Sequence, residues 1–434
     1  MKRRAFLKGV AAAGAVSMLP AGALVSGCRP DRRTAGAGMD GGWDFDEVMD
    51  RTGTWSIKYG RAGDGQIPMW IADMDFRTDP SVSRALRERL ERDVMGYTST
   101  PDGFFQSIRN WVERQHGYSV PMEWVGYAPG VITALNQAYL TFTEPGDKII
   151  VQPPVYDHFR MYIERLGRVA VDNPLIEEGG RYRMDFEALE RMIDGRTKAL
   201  VLCNPHNPVG ILWDRDTLAT LASICDRHGV VILSDEIHAD LALYGQRHIP
   251  FCSVSEEAAR IGLIFSGPTK AFNLAGLSGT AYCIIPDAEK RERYLGTLRN
   301  AKLYEPSIPT LVSTIAAYTS ESGWLPALKT YLEGNIDLVM DYFQGRGGAA
   351  PAAVTPVRPE ASFLVWLDCR KLGLPPEGLQ ALFRDKAGVL LSNGAAYGPG
   401  GEGFLRMNVG CPRSVLRTAL QRMGAVLERI GTSL

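Results

Sequence analysis

The chain has 434 residues, 45% of them hydrophobic, and a formal net charge of −1. That length provides for roughly two domains and ample material for a large core. The near-neutral balance leaves no basic stripe to neutralise phosphates, which argues against a nucleic-acid partner.

Residues 1–28 read as a targeting segment, to be set apart from the fold. Lys2-Arg3-Arg4 and Phe6-Leu7-Lys8 give a basic start with paired arginines, and an apolar Ala/Gly-rich run follows from Gly9 to Leu24. Pro20 breaks that run, which is too short to span a bilayer comfortably. The pattern resembles a twin-arginine export signal, with a general secretory signal as the alternative. Leu24-Val25-Ser26-Gly27-Cys28 resembles a bacterial lipoprotein box, in which cleavage leaves Cys28 carrying lipid. Arg29 to Gly42 then reads as a flexible tether. The expectation is an exported protein, periplasmic or membrane-anchored, that touches a membrane only through the lipid. The other six cysteines (Cys203, Cys225, Cys252, Cys283, Cys369 and Cys411) show no metal spacing, and Cys203, Cys225 and Cys283 fall in apolar runs, so buried free thiols are expected.

Trp43 to Phe76 has few periodic stretches and contains Trp70-Ile-Ala-Asp73-Met-Asp75-Phe76, a strand or loop edging a cleft. Ser81 to Arg92 and Gly103 to His116 have helical spacing, with the turn Gly96-Tyr97-Thr98 between them. Tyr127-Ala-Pro-Gly130-Val131-Ile132 is a turn leading into a helix from Thr133 to Thr143, whose start offers unpaired N–H donors to a phosphate. An alternation of buried strands and helices follows. The strands are Asp147 to Val151, Lys198 to Leu202, Gly229 to Leu233, Ile261 to Phe265 and Thr280 to Ile285. Continuous apolar strands with helices between them predict an α/β fold with a mostly parallel sheet covered on both faces. Such sheets bind ligands at the carboxyl ends of their strands, where Asn207, Asp235 and Lys270 all fall. A long helical region from Arg291 to about Phe343 leads to a smaller C-terminal unit with strands Ser362 to Leu367, Gly388 to Leu391 and Phe404 to Val409, closed by a helix from Ser414 to Ile430. The expected organisation is an N-terminal arm (43–95) contributing to the small domain, a large domain (96–300), and a linking helix with the small domain (301–434). Gly398-Pro-Gly400-Gly-Glu-Gly403 fits a dinucleotide fingerprint in letters only. It contains Pro399 and precedes a strand, so an active-site loop is the better reading.

Lys270 sits just past an apolar strand in Ser266-Gly-Pro-Thr269-Lys270. Alone it is an ordinary lysine; two other strand-end motifs change its meaning. A pyridine aldehyde cofactor needs a lysine for its aldehyde and a carboxylate against its ring nitrogen. It also needs a donor to its ring hydroxyl, an aromatic face and phosphate donors. Lys270, Asp235, Asn207, Tyr156 and the Gly130 turn fit those needs, and together they point to pyridoxal 5'-phosphate. An acid leaving an apolar strand is costly to bury unpaired, so Asp235 is expected to have a cationic partner. Arg406, inside an apolar strand, is the best two-pronged clamp for a substrate carboxylate, with a structural ion pair as its alternative.

Asn204-Pro-His-Asn207-Pro-Val-Gly210, Ser234-Asp235-Glu236 and the Thr269-Lys270 segment resemble the fold-type I aminotransferase superfamily, from about Phe45 onward. Trp70-Ile-Ala-Asp-Met-Asp-Phe76, Gly96-Tyr97-Thr98, Pro153-Pro-Val-Tyr156, Asp235-Glu-Ile-His238 and Ala275-Gly-Leu277 resemble its cystathionine β-lyase-like branch, the C–S lyases of the MalY/PatB type. The resemblance implies a homodimer with Tyr97 reaching the neighbour's phosphate. It also implies backbone phosphate contacts from Gly130, Val131 and Ile132, further cofactor contacts from Thr269 and Ser266, and His238 where many aminotransferases carry a tyrosine. Ser278 stands where many have a phosphate-binding arginine, and Ala271 departs from the expected Ser or Thr. The leading reading is a β-lyase releasing thiol, pyruvate and ammonia from cystathionine or other cysteine S-conjugates, with Arg406 and Asn207 on the substrate. An aminotransferase on the same scaffold is the runner-up. A non-catalytic amino-acid-binding lipoprotein is the third.

Overall fold

The computed structural model describes residues 43–345 and 353–431, so the export signal, Cys28 and the tether lie outside the described residues. The main sheet has seven strands: β1 (Val125–Ala128), β2 (Lys148–Val151), β3 (Val169–Asp172), β4 (Thr197–Cys203), β5 (Val231–Asp235), β6 (Gly262–Ser266) and β7 (Ala281–Ile284). Their spatial order is β1-β7-β6-β5-β4-β2-β3.

The apolar runs are continuous because both faces are covered. Successive side chains in a strand point to opposite faces. Ile150, Leu200, Leu202, Ile232 and Ile264 therefore join one core, while Ile149, Val151, Val201, Leu233, Leu263 and Phe265 join another. The helices Val131–Phe142, His158–Arg165 and Ala288–Asn300 cover the second face, through residues such as Leu135, Phe159 and Tyr294.

The sheet is mostly parallel, as expected, and two details go beyond the sequence reading. β7 runs antiparallel to both of its neighbours, the one departure in a sheet expected to be mostly parallel. An apolar run reports burial but not direction. Direction follows from the connection, and residues 267–280 contain no crossover helix, so the chain returns antiparallel. Tyr127 and Ala128, expected to open a turn, instead end β1, whose four residues are too short to show a period. Gly126 is required there, because a Cβ would lie 2.8 Å from the Cys283 sulfur.

The region expected to be helical from Arg291 to Phe343 is three helices: Ala288–Asn300, Ile308–Tyr318 and Trp324–Phe343. They are separated at Lys302 and Gly323, both in the left-handed region. Ser307 caps the second helix by accepting from Thr310 N–H. A four-stranded antiparallel sheet follows, in the order Thr355–Val357, Leu364–Asp368, Phe404–Asn408, Ser392–Asn393. The N-terminal segment joins this part, with Ile67–Pro68 pairing in parallel with Val389–Leu390. Buried Lys58 reinforces the segment through an ion pair to Asp75 at 2.7 Å. The six cysteines are free and buried, as expected.

Candidate active site

A cavity of 770 Å³ opens at the carboxyl ends of β4, β5 and β6 and reaches the second sheet. Its size suits a small ligand. Gly130, Val131, Ile132, Tyr156, Asn207, Asp235, His238, Thr269, Lys270 and Arg406 all line it. Ser266 does not, which corrects one expectation. It is the last residue of β6, buried, and its hydroxyl donates to the Glu236 carbonyl at 2.8 Å. Tyr97 is fully exposed and is absent from the cavity lining of its own chain.

Lys270 lies four residues beyond β6, in a turn closed by Phe272 N–H donating to the Pro268 carbonyl. Its amine donates to the Ala72 carbonyl at 2.6 Å. Burial, reinforced by the Arg406 charge, lowers its pKa to about 8. Asp235 ends β5, and its Oδ1 accepts from Ile237 N–H at 3.1 Å. Burial pushes its carboxyl up to about 7. The cationic partner expected for it is not supplied by an ion pair among the described residues. His238 is buried, its Nδ1 lacks a partner, and desolvation holds the imidazole neutral.

Arg406 enters from strand Phe404–Asn408. Its Nη1 donates to Asn207 Oδ1 at 3.0 Å and its Nη2 to the Trp70 carbonyl at 2.8 Å, while Nε is buried without a partner. The Tyr397 ring lies 5.2 Å from the guanidinium. Among the described residues no acid pairs with Arg406, which sets aside the structural ion pair and leaves its charge available to a ligand. Tyr156 lines the cavity and stacks on His158, with ring centres 4.7 Å apart.

Gly130 is the N-cap of helix Val131–Phe142, at φ 93° and without a side-chain cap. A Cβ there would stand in open space. The helix start therefore presents free N–H groups beside the cavity. The helix begins two residues earlier than its periodicity suggests, because Val131 and Ile132 form its first turn.

These features fit pyridoxal phosphate. A buried carboxylate lacks a cation, an arginine lacks an anion, a lysine amine is poised near neutrality, and a helix start is open to a phosphate. Sequence reasoning missed the carbonyls of Trp70 and Ala72, and it missed Ser392, Tyr397, Gln380, Arg61 and Arg384 in the lining. The carbonyls leave no mark in side-chain identity. Tyr397 is legible only as the residue before the glycine loop at Gly398, which itself stays out of the lining.

Comparison with known proteins agrees with this geometry. The aminotransferase class I and II family matches residues 65–423. The chain is 40% identical to cystathionine beta-lyase PatB of Bacillus subtilis (strain 168), over 89% of this chain and 100% of that protein. It is 35% identical to protein MalY of Escherichia coli (strain K12), over 86% of this chain and 96% of that protein. Cystalysin from Treponema denticola, whose crystal structure contains pyridoxal 5'-phosphate, superposes with a TM-score of 0.85 at 30% identity, covering 89% of this chain and 99% of the other.

Proposed function

The chain belongs to the aminotransferase class I and II family, and from that premise we propose that it is a pyridoxal-phosphate-dependent C–S β-lyase. The reaction converts a cysteine S-conjugate and water to a thiol, pyruvate and ammonia. The observation that carries the reading is the convergence of Lys270, Asp235 and Arg406 on one cavity, in a chain 40% identical to a cystathionine beta-lyase.

Pyridoxal phosphate, when bound, supplies an electron sink for the pair left at the substrate's α-carbon. The protein supplies the rest. Lys270 would hold the cofactor's aldehyde through Nζ, and that amine, its pKa lowered to about 8, would serve as the base for the substrate's α-proton. Asp235 would keep a proton on the cofactor's ring nitrogen. Arg406 fixes the substrate carboxylate, and its bond to Asn207 sets the guanidinium plane. Asn207 Nδ2 would donate to the ring hydroxyl, Tyr156 would offer its aromatic face, and Gly130, Val131, Ile132 and Thr269 would hold the phosphate. Neutral His238 would contact the ring hydroxyl without adding charge.

The test is purified protein lacking residues 1–28, followed for pyruvate release from L-cystathionine. Wild type gives a visible cofactor band and pyruvate, and Lys270→Ala loses both. Amino transfer to a keto acid without pyruvate moves the protein to the aminotransferases. No band after cofactor addition removes both enzyme readings.

The quaternary and cellular proposals rest on separate features. We propose a homodimer, supported by exposed Trp55, Val94, Met95 and Tyr97, with Tyr97 reaching the partner's phosphate; a monomer by sedimentation overturns it. Export by the twin-arginine route and lipidation at Cys28 are supported by the N-terminal residues, and no described helix is long and apolar enough to cross a membrane. Loss of membrane association on Cys28→Ala, measured by cell fractionation, checks the anchor.

A further inference from the structure

The cavity mouth holds a cation that the chemistry above does not use. Arg61 follows the short helix Ile57–Gly60 and lines the cavity with an exposed side chain. Its guanidinium lies over the Trp70 ring, 4.7 Å from the centroid. Trp70 is itself fixed, because its Nε1 donates to the Lys58 carbonyl at 3.1 Å. The same residue's carbonyl accepts from Arg406 at 2.8 Å. One residue thus positions both the clamp for the α-carboxylate and a second guanidinium nearer solvent.

The neighbouring charges are committed elsewhere. Arg384 also lines the mouth, but it pairs with Asp385 through two bonds of 2.7 and 2.8 Å. Asp157 bonds His158 at 2.9 Å, and Asp235 is buried at the end of β5. Among the described residues no carboxylate pairs with Arg61. A guanidinium stacked on an indole keeps its edge free for a planar anion, which it can grip with two parallel bonds.

We propose that Arg61 is a specificity-determining residue, reading a carboxylate on the far arm of the thioether. The enzyme then prefers cysteine S-conjugates with an acidic arm over neutral ones. This rests on the lyase reading above.

The probes are S-(2-carboxyethyl)-L-cysteine and its neutral isostere S-(2-carbamoylethyl)-L-cysteine. Wild type is expected to favour the acid in kcat/KM by about tenfold, the value of one charge-assisted contact at a half-open site. Arg61→Gln brings the ratio close to one, and Arg61→Lys retains part of the preference. No preference in wild type overturns the proposal. So does an Arg61→Gln variant that loses activity equally on both probes, the signature of a merely structural role. If neither probe yields pyruvate, the lyase reading fails. The charge preference is then read from the two probes' dissociation constants, measured by perturbation of the cofactor band, and equal constants overturn it.

Discussion

Asp235 shows how one buried group can be wrong for the empty protein and right for the loaded one. Its carboxyl is raised from 3.8 to about 7, chiefly by burial. A carboxylate whose folded pKa is raised lends stability at low pH and loses it as pH rises through about 7. At pH 8 the empty protein therefore carries a desolvated charge without an ion-pair partner. Asp235→Asn removes it, so the empty variant should melt at or above the wild-type temperature at pH 8, while pyruvate release falls by roughly 100-fold or more. A variant that is both less stable and fully active contradicts this assignment. Lys270 carries a second expectation. Only the neutral amine attacks an aldehyde, and half of it is neutral near pH 8 rather than 10.5. The rate of cofactor uptake by the empty protein, read from absorbance, should rise through about pH 8 and then level. Asp235, Lys270 and Arg406 were legible in the sequence because a charged residue at the end of an apolar run is costly without a purpose. Ser266 misled for the opposite reason: a small hydroxyl is cheap to bury, and here it serves the Glu236 carbonyl.

At the scale of elements, the start of helix Val131–Phe142 is the sharpest case. Gly130 holds φ 93°, which a side chain resists, and the space beside it is open. Gly130→Ala should cost about 1–3 kcal/mol of backbone strain. It should also place a methyl group where the phosphate would lie, weakening cofactor binding by roughly tenfold or more. Fluorescence titration with pyridoxal phosphate and urea unfolding separate the two effects. The helix itself was readable from its period, but its first turn was not, since Val131 and Ile132 look alike in a strand, a turn or a helix. β7 makes the same point in the sheet: its burial was written in Ala281–Ile284, its direction only in the absence of a crossover between β6 and β7.

Across the whole molecule, three histidines are buried neutral. Desolvation lowers His206 from 6.5 to about 4 and lowers His238 and His248 as well. For His248 the attraction of Glu236, 2.8 Å away, opposes burial without overcoming it. A histidine with a depressed folded pKa contributes stability that is complete above about 6.5 and is lost as pH falls toward the folded value. The protein should therefore lose about 2 kcal/mol between pH 7.5 and pH 5 from His206 alone. Urea unfolding at the two pH values measures it. Asp235 acts in the opposite direction, so the comparison is cleanest with Asn at that position. Equal stability at both values would mean that these rings gain protons without opening the fold.

The sequence by itself determined the buried strands, the helices between them and the chemical types gathered at the strand ends. Those follow from local rules: an apolar run must be covered, and an uncompensated charge beside it must be used. Only the tertiary structure decided which groups meet. Arg406 and Asn207 are 199 positions apart and share a bond of 3.0 Å. Trp70 carries Arg61 on its ring and holds Arg406 through its carbonyl. Backbone carbonyls such as those of Ala72 and Trp70 have no letter in the sequence, so their roles exist only once the chain has closed on itself.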